Sequence, residues 1–281
     1  MDAKEKKSRR CGMMTAAGAQ GVGKTYENMH IIQDYIKDKI ASKVRGRKCL
    51  ILDTNGEYTE DQFAENGVPN FKVKTIKLAD VGEWCRSGLT ECRRIDMRSA
   101  SIKDKKKVIE HVVSVFVLGM LVLEDINTAF ISMTHMENIV SGLVNLRHKG
   151  ADVLISFQSL RAVEPLIYRN SRWVRMHYQI DNVSDIKGKI PDVALYKIAQ
   201  LIVNSKYHQG GEHKHFFLTI NCLEKNLKGK FTLAEFQTAC EQYLMANKKD
   251  AREFRDMNNC SMDEAIKGQI GLYTKQYYGN V

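Results

Sequence analysis

The sequence predicts an α/β fold in which a mostly parallel sheet is covered by helices on both faces. The chain has 281 residues and a hydrophobic content of 43%, enough for a substantial core. Short apolar runs alternate with helical patterns, which is typical of buried parallel strands. The three prolines all lie outside the predicted strands. Those strands are 12–16, 48–53, 94–98, 120–124, 152–157 and 173–178.

The predicted helices fill the gaps between these strands, at about 24–42, 102–117, 137–148 and 160–168. Beyond about residue 180 the apolar runs 201–207 and 215–221 flank Gly210 and Gly211, which predicts a β-hairpin that extends the sheet.

A charged helical segment follows from Thr232 onward, and its apolar residues are spaced for one buried face. Those residues are Leu233, Phe236, Ala239 and Tyr243. We therefore expect a flexible basic arm at 1–10, a main domain at 11–222 and a helical C-terminal tail at 223–281.

The bulk composition restricts the function classes. A formal net charge of +10 favours a polyanionic partner, although a solvated basic surface would give the same number. Seven cysteines without a CxxC pair indicate neither a disulfide framework nor a zinc ribbon. The longest apolar stretch, 112–123, is too short to cross a bilayer, and residues 1–10 lack the apolar core of a secretory signal. We expect no integral membrane segment.

The strongest motif is GxxxxGK[ST], which follows an apolar strand and opens a helix. Glycines let backbone N–H groups wrap phosphates, and the helix N-terminus adds partial positive charge. Lys24 is expected to reach the β- and γ-phosphates, and the Thr25 hydroxyl to bind Mg²⁺. The motif predicts a P-loop that binds ATP with magnesium. Its residues are Gly18, Ala19, Gln20, Gly21, Val22, Gly23, Lys24 and Thr25.

Acidic and amide side chains follow two neighbouring strands. Glu124 and Asp125 come after the run 120–123, where a carboxylate can hold magnesium or activate water. We assign Glu124 to the metal side and Asp125 to the water, and the order of the two acids leaves their roles open. Gln158 follows the strand 152–157, where an amide can contact the γ-phosphate or the lytic water. The alternative at 158–159 is a simple helix cap by Ser159.

Three segments resemble the HerA/FtsK superfamily of DNA-pumping ATPases. ILDTNGEY at 51–58 is similar to its signature after the second strand, and RHKGAD at 147–152 leads into a strand ending in Gln158. The segment 165–174 resembles the part of these enzymes in which Asn and Arg come just before a strand. Together with the P-loop, the resemblance covers about residues 11–180 and implies a P-loop NTPase fold of the RecA/ASCE-like kind.

Within that superfamily the chain looks most like the genome-packaging ATPases of tailless icosahedral viruses of the internal-membrane type. The resemblance implies a DNA-translocating ATP hydrolase that forms a homo-oligomeric ring, a hexamer or pentamer, around double-stranded DNA. It also implies a capsid vertex or portal partner, and a location in the host cytoplasm or at the packaging vertex of the virion. A plasmid-transfer or filamentous-phage assembly ATPase of the same superfamily is the alternative.

The resemblance further implies an arginine that completes a neighbouring subunit's site. Arg172 is the candidate finger for the neighbour's γ-phosphate. Candidate DNA-gripping loops are 126–136 and 206–215. The second also contains His208, His213 and His215, for which a metal site is a further alternative. The rivals to Arg172 are Arg147, Arg161 and Arg169.

Three other function classes share the P-loop. In a GTPase, residues 53–56 would be the DxxG motif and residues 247–250 the NKxD motif. The stretch between Lys24 and Asp53, however, leaves little room for a switch loop. A small-molecule kinase needs a lid that closes over the phosphates. An ATP-regulated scaffold would bind nucleotide without turnover.

Overall fold

The computed structural model describes residues 11–38, 45–124 and 136–279. The strands are β1 (Met13–Ala17), β2 (Lys48–Asp53), β3 (Val73–Thr75), β4 (Cys92–Asp96), β5 (Gly119–Leu123), β6 (Asp152–Phe157), β7 (Ser171–His177), β8 (Phe217–Asn221) and β9 (Asn226–Lys228). The α-helices are α1 (Lys24–Ile36), α2 (Glu60–Glu65), α3 (Val81–Arg86), α4 (Ile102–Val115), α5 (Met136–Asn145), α6 (Pro165–Asn170), α7 (Val193–Gln209), α8 (Leu233–Ala246), α9 (Lys248–Asn258) and α10 (Met262–Tyr277).

The strands form a nine-stranded sheet in the order β3-β4-β2-β5-β6-β1-β7-β8-β9. The pairs β3–β4, β4–β2 and β2–β5 are parallel, whereas β7–β8 and β8–β9 are antiparallel. Every residue of β2 and β5 is buried, which explains why both strands read as continuous apolar runs. The predicted α/β class with a mostly parallel sheet is confirmed.

The chain divides into two compact units. The first contains β2, β3, β4 and β5 with the helices between them. The second contains Met14–Ile31 and the chain from Ile155 onward, and Glu124 also belongs to it. The P-loop, Glu124, Gln158 and the 165–174 segment therefore fall within the second unit, whereas the 51–58 and 147–152 segments fall within the first.

Most predicted strands are present with shifts at their ends. The runs 48–53 and 152–157 match β2 and β6. The predicted strand 94–98 is wrong by two residues, because β4 begins at Cys92, which pairs with Cys49 of β2. Arg98 lies beyond the strand end and binds the Asp96 carboxylate. The first helix ends at Ile36, and most of its predicted extension to 42 lies outside the described residues.

The predicted hairpin of 201–207 with 215–221 is wrong. Leu201–Tyr207 lies inside α7, because its apolar residues continue a helical spacing in which Leu195, Ile198 and Ile202 are buried. The Asp192 side chain caps the start of that helix. The hairpin that does form joins β8 to β9.

The chain after β9 is helical, as the pattern from Thr232 predicted. Thr232 and Glu235 form a capping box at the start of α8, and Phe236, Ala239 and Tyr243 are buried. Leu233 is an exception to the predicted buried face, because the first turn leaves it 42% exposed. The domain boundary at 222/223 stays a prediction. Among the described helices, none combines the length and the apolar character needed to cross a bilayer.

Candidate functional site

The turn at 18–23 connects β1 directly to α1, as the motif requires. Gly23 has φ +87, a backbone conformation that residues with a Cβ adopt only with strain. At Gly18 the reason for glycine is space, because a Cβ there would lie 2.5 Å from Cβ of His177. These two glycines therefore let the backbone turn tightly beside β7.

Neighbouring strand ends hold this turn in place. The Gly18 N–H donates to the Phe157 carbonyl at the end of β6, with an N···O distance of 3.2 Å. The Ala19 N–H donates to the Tyr178 carbonyl, just past the end of β7, at 2.8 Å. The ends of β6 and β7 thus meet the end of β1 at the loop, where parallel α/β sheets bind ligands.

The side chains of Lys24 and Thr25 lie at the start of α1. The Lys24 ammonium donates to the carbonyls of Gly18 and Ala19, at 2.8 and 2.7 Å, and so curls back over its own loop. Thr25 donates from its hydroxyl to Glu124 Oε1 at 3.5 Å. The structure therefore brings the predicted carboxylate to the hydroxyl of the predicted phosphate-binding motif.

Glu124 follows β5 and is only 2% exposed. Its second oxygen, Oε2, accepts from the Asn28 amide at 2.8 Å. Both oxygens therefore face the first turns of α1. Asp125, the predicted water-activating acid, lies outside the described residues.

Behind the loop lies a buried polar network that the sequence analysis missed. Arg175, in the middle of β7, is 2% exposed and donates to Asn28 Oδ1 and to the Lys24 carbonyl. It also donates from Nε to His177 Nε2 at 3.1 Å. The sequence did carry a signal for this network, namely a charged residue within the apolar run of the predicted strand 173–178. A buried arginine needs several hydrogen-bond acceptors, so its place in that run indicates polar partners nearby.

The network fixes the protonation of His177. Arginine has only donors, so His177 Nε2 must accept the hydrogen bond from Arg175. The proton of the imidazole is then on Nδ1, and this N–H donates to the Val22 carbonyl of the loop at 3.0 Å. Burial, with the nearby Arg175 charge, lowers the pKa of His177 well below its usual value. The imidazole is therefore neutral, and it holds the loop through a single tautomer.

The other predicted site residues are dispersed. Gln158 is exposed and directly follows Phe157, whose carbonyl holds Gly18. Arg172 lies at the start of β7, the end of the strand away from His177, and its guanidinium lies 4.4 Å from the ring centroid of Trp173. The rivals Arg147, Arg161 and Arg169 are exposed.

The segment 206–215 is the end of α7 and a 3₁₀ turn at Gly211–His215, and the predicted hairpin tip is therefore wrong. The imidazole of His215 lies against the P-loop, because a Cβ on Gly23 would be 3.1 Å from Nδ1 of His215. The other predicted DNA loop, 126–136, lies almost wholly outside the described residues. Within the described part of the chain, no three His, Cys, Asp or Glu side chains are arranged to hold a metal ion.

In the first unit, the carboxylate of Asp53 organises the segment that resembles the superfamily signature. It accepts from the N–H groups of Gly56, Glu57 and Tyr58 at 2.8 to 3.1 Å, and Arg94 pairs with it at 2.7 Å. The spacing of Asp, Gly, Glu and Tyr therefore lets the Asp53 carboxylate bind the backbone of the residues that follow it and close the loop.

The same contacts weigh against the GTPase alternative. Asp53 is fully buried and bound to its own loop, and Asp250 of the NKKD stretch accepts from Tyr273 between two helices of the tail. Asp53 ends β2, but its carboxylate is occupied by the backbone of its own loop. Asp250 lies inside the helix α9 and not after a strand, where a guanine nucleotide site would need it.

The loop, its lysine and threonine, and the parallel sheet define the chain as having the P-loop NTPase fold. No protein-family model matches the sequence, and no protein of curated function matches it.

Among solved structures, the genome packaging NTPase B204 from Sulfolobus turreted icosahedral virus 2, in complex with sulfate, is similar. Its TM-score is 0.52 at 15% identity over 78% of this chain and 96% of that chain. Its complex with ATP-gammaS gives a TM-score of 0.50 at 15% identity, over 77% and 95% of the two chains. B204 of Sulfolobus Turreted Icosahedral Virus, described as a DNA-packaging ATPase, gives 0.50 at 14% identity, over 78% and 97%.

At such identities the likeness shows the fold alone. The P-loop NTPase fold that the motifs and the resemblance predicted is confirmed.

Proposed function

We propose that this protein is an ATP hydrolase that translocates nucleic acid, and that its task is to package double-stranded DNA into a viral capsid. The observation that carries the proposal is the meeting of Thr25 and Glu124 at the start of α1, directly after a phosphate-binding turn. The similarity in fold to a viral DNA-packaging ATPase supports the narrower task.

The residues at the turn suit a magnesium nucleotide. The backbone N–H groups and Lys24 would hold the terminal phosphates. The Thr25 hydroxyl and the buried Glu124 carboxylate supply the hard oxygen donors that Mg²⁺ prefers, and their separation of 3.5 Å brings both to one place. Magnesium, when bound, neutralises charge on the phosphates. Asp125 and Gln158 remain our candidates for orienting the attacking water.

The position of Arg172 suits a role in trans. It lies at the opposite end of β7 from the residues that hold the P-loop, so it would act on a neighbouring subunit in a ring. Arg172→Ala should therefore leave ATP binding nearly intact and slow hydrolysis by roughly 1,000-fold. Mixing Arg172→Ala with Glu124→Gln subunits should restore part of the activity, and a mixture as inactive as its components would count against a trans arginine.

The proposed DNA partner is motivated by the net charge of +10 and by the segments 126–136 and 206–215, the second of which forms the end of α7 and the 3₁₀ turn at Gly211–His215. The deciding experiment measures ATP hydrolysis with and without double-stranded DNA across a salt series. DNA should stimulate turnover, and the stimulation should fall steeply as salt rises, because phosphate contacts release counterions. A metabolite kinase would show turnover that ignores DNA, and a scaffold would show no turnover.

A further inference from the structure

The amide of Asn28 stands between the proposed magnesium-side carboxylate and a buried arginine. Asn28 lies three residues after Thr25 on α1, so the two side chains share one face of the helix. Its side chain is fully buried. The Nδ2 atom donates to Glu124 Oε2 at 2.8 Å and to Ser156 Oγ of β6 at 2.9 Å, and Oδ1 accepts from Arg175.

These partners determine which way the amide points. Arginine can only donate, and an ionised carboxylate can only accept. The oxygen of Asn28 must therefore face Arg175, and its NH₂ group must face Glu124. An aliphatic side chain at position 28 would leave a buried cation and a buried carboxylate each without this partner, which is costly in the protein interior.

Arg175 connects the same amide to the loop backbone. Its Nη2 atom also donates to the Lys24 carbonyl at 3.2 Å, and its Nε atom donates to His177, which in turn holds the Val22 carbonyl. The side chain is further fixed over the Phe217 ring, 5.6 Å from the centroid. One guanidinium thus fixes the backbone around Lys24 and the orientation of the amide that binds Glu124.

We propose that Asn28 and Arg175 are positioning residues that hold the Glu124 carboxylate beside Thr25 and thereby set the affinity of the site for a divalent cation. This inference rests on the proposed function, since it assigns roles around the same nucleotide site. In this proposal, the side chains of Asn28 and Arg175 do not touch the nucleotide. Outer partners of a metal-binding carboxylate change metal affinity by roughly 10- to 100-fold when removed.

The test compares Asn28→Ala with wild-type protein in three measurements. These are the melting temperature without ligand, the affinity for a fluorescent ATP analogue in EDTA, and the Mg²⁺ concentration that gives half of the magnesium-dependent tightening of that analogue. The variant should raise the half-saturating Mg²⁺ concentration roughly 10- to 100-fold. Its magnesium-free affinity should stay within about threefold of wild type, because Lys24 and the loop remain.

A matched control is Asn221→Ala. Asn221 is also a buried asparagine, and its oxygen accepts from the N–H groups of Leu223 and Glu224 at the end of β8. It should lower the melting temperature without changing the magnesium dependence. If Asn28→Ala does not fold, Ser156→Ala removes only one acceptor of the amide and should raise the half-saturating Mg²⁺ concentration by a few fold.

Arg175→Lys sharpens the test, since it keeps the charge but cannot serve three acceptors in the same geometry. A magnesium dependence equal to wild type in folded Asn28→Ala or Ser156→Ala would overturn the positioning role alone. Wild-type protein that binds no ATP analogue at any Mg²⁺ concentration would overturn the proposed function, and the positioning role with it.

Discussion

Two loops in this protein follow strands of the sheet and are held by buried polar groups, but those groups differ in origin. After β2, the Asp53 carboxylate accepts from three N–H groups of its own loop, and Arg94 of the adjacent strand completes its shell. That carboxylate is fully buried, and its contacts close the loop on itself.

After β1, the loop is held by groups from elsewhere in the second unit. The carbonyls of Phe157 and Tyr178 and the ring of His177 bind its backbone, while Lys24 and Thr25 stay half-buried. The partners thus belong to the loop itself after β2, whereas after β1, in the proposed binding loop, they come from other elements of the unit.

The largest expected effect is on the binding loop. Lys24→Ala should reduce ATP turnover roughly 1,000-fold, about 4 kcal/mol, because it removes the charge expected on the terminal phosphates. Steady-state hydrolysis assays measure this. Lys72→Ala is the matched control, since Lys72 is an exposed lysine paired with Glu60. Unimpaired hydrolysis by Lys24→Ala would remove the distinction between the two loops.

Asp53→Asn should instead act on stability. It leaves the Arg94 guanidinium, which is 13% exposed, without its buried counter-charge, and we expect a loss of about 3 kcal/mol in the free energy of unfolding. Urea denaturation measures it, with Asp256→Asn at an exposed ion pair as the control. Nucleotide affinity should stay near wild type at temperatures where both proteins are folded. A loss of affinity at unchanged stability would assign Asp53 to a binding site.

The smallest effect concerns Asp96, which binds Arg98 beside the same loop. That hydrogen-bonded pairing lowers the pKa of Asp96 to about 2. Because the folded-state pKa lies below the unfolded one, the stabilisation is fully present above the ordinary pKa of 3.8 and is lost as pH falls through about 2. Arg98 is 59% exposed, so solvent screening keeps this contribution to the free energy of unfolding the smallest of the three.

Urea titrations of wild type and Asp96→Asn at several pH values test this sign. Their difference in the free energy of unfolding should be constant near neutral pH and shrink toward pH 2. A difference that grows on acidification would show that folding raises the pKa of Asp96 instead of lowering it.

Local chemistry explains what the sequence could predict. The P-loop is a contiguous motif, so its residues and its place between a strand and a helix followed from spacing alone. Glu124 followed from a strand end, because parallel strands finish at one edge of a sheet. The strands β2 and β6 were predicted with correct bounds, because polar residues mark the limits of both apolar runs: Lys48 and Asp53 end β2, Asp152 begins β6, and Gln158 follows it.

Long-range contacts explain what it could not. Asn28 meets Arg175 and Ser156 only after α1, β7 and β6 are assembled, and no spacing in the sequence links those three residues. The run 201–207 has the composition of a strand, and its helical form depends on the burial of Ile198 one turn earlier and of Leu195 two turns earlier. The strand β3 is too short and too exposed to leave an alternating pattern.

We propose that the loop at 18–23, Lys24, Thr25 and Glu124 form one magnesium nucleotide site. The most direct test is an experimental structure with ATPγS and Mg²⁺. We expect the terminal phosphates at the N–H groups of the loop and the cation beside Thr25 and Glu124. A nucleotide bound elsewhere, or a cation held away from Glu124, would contradict it.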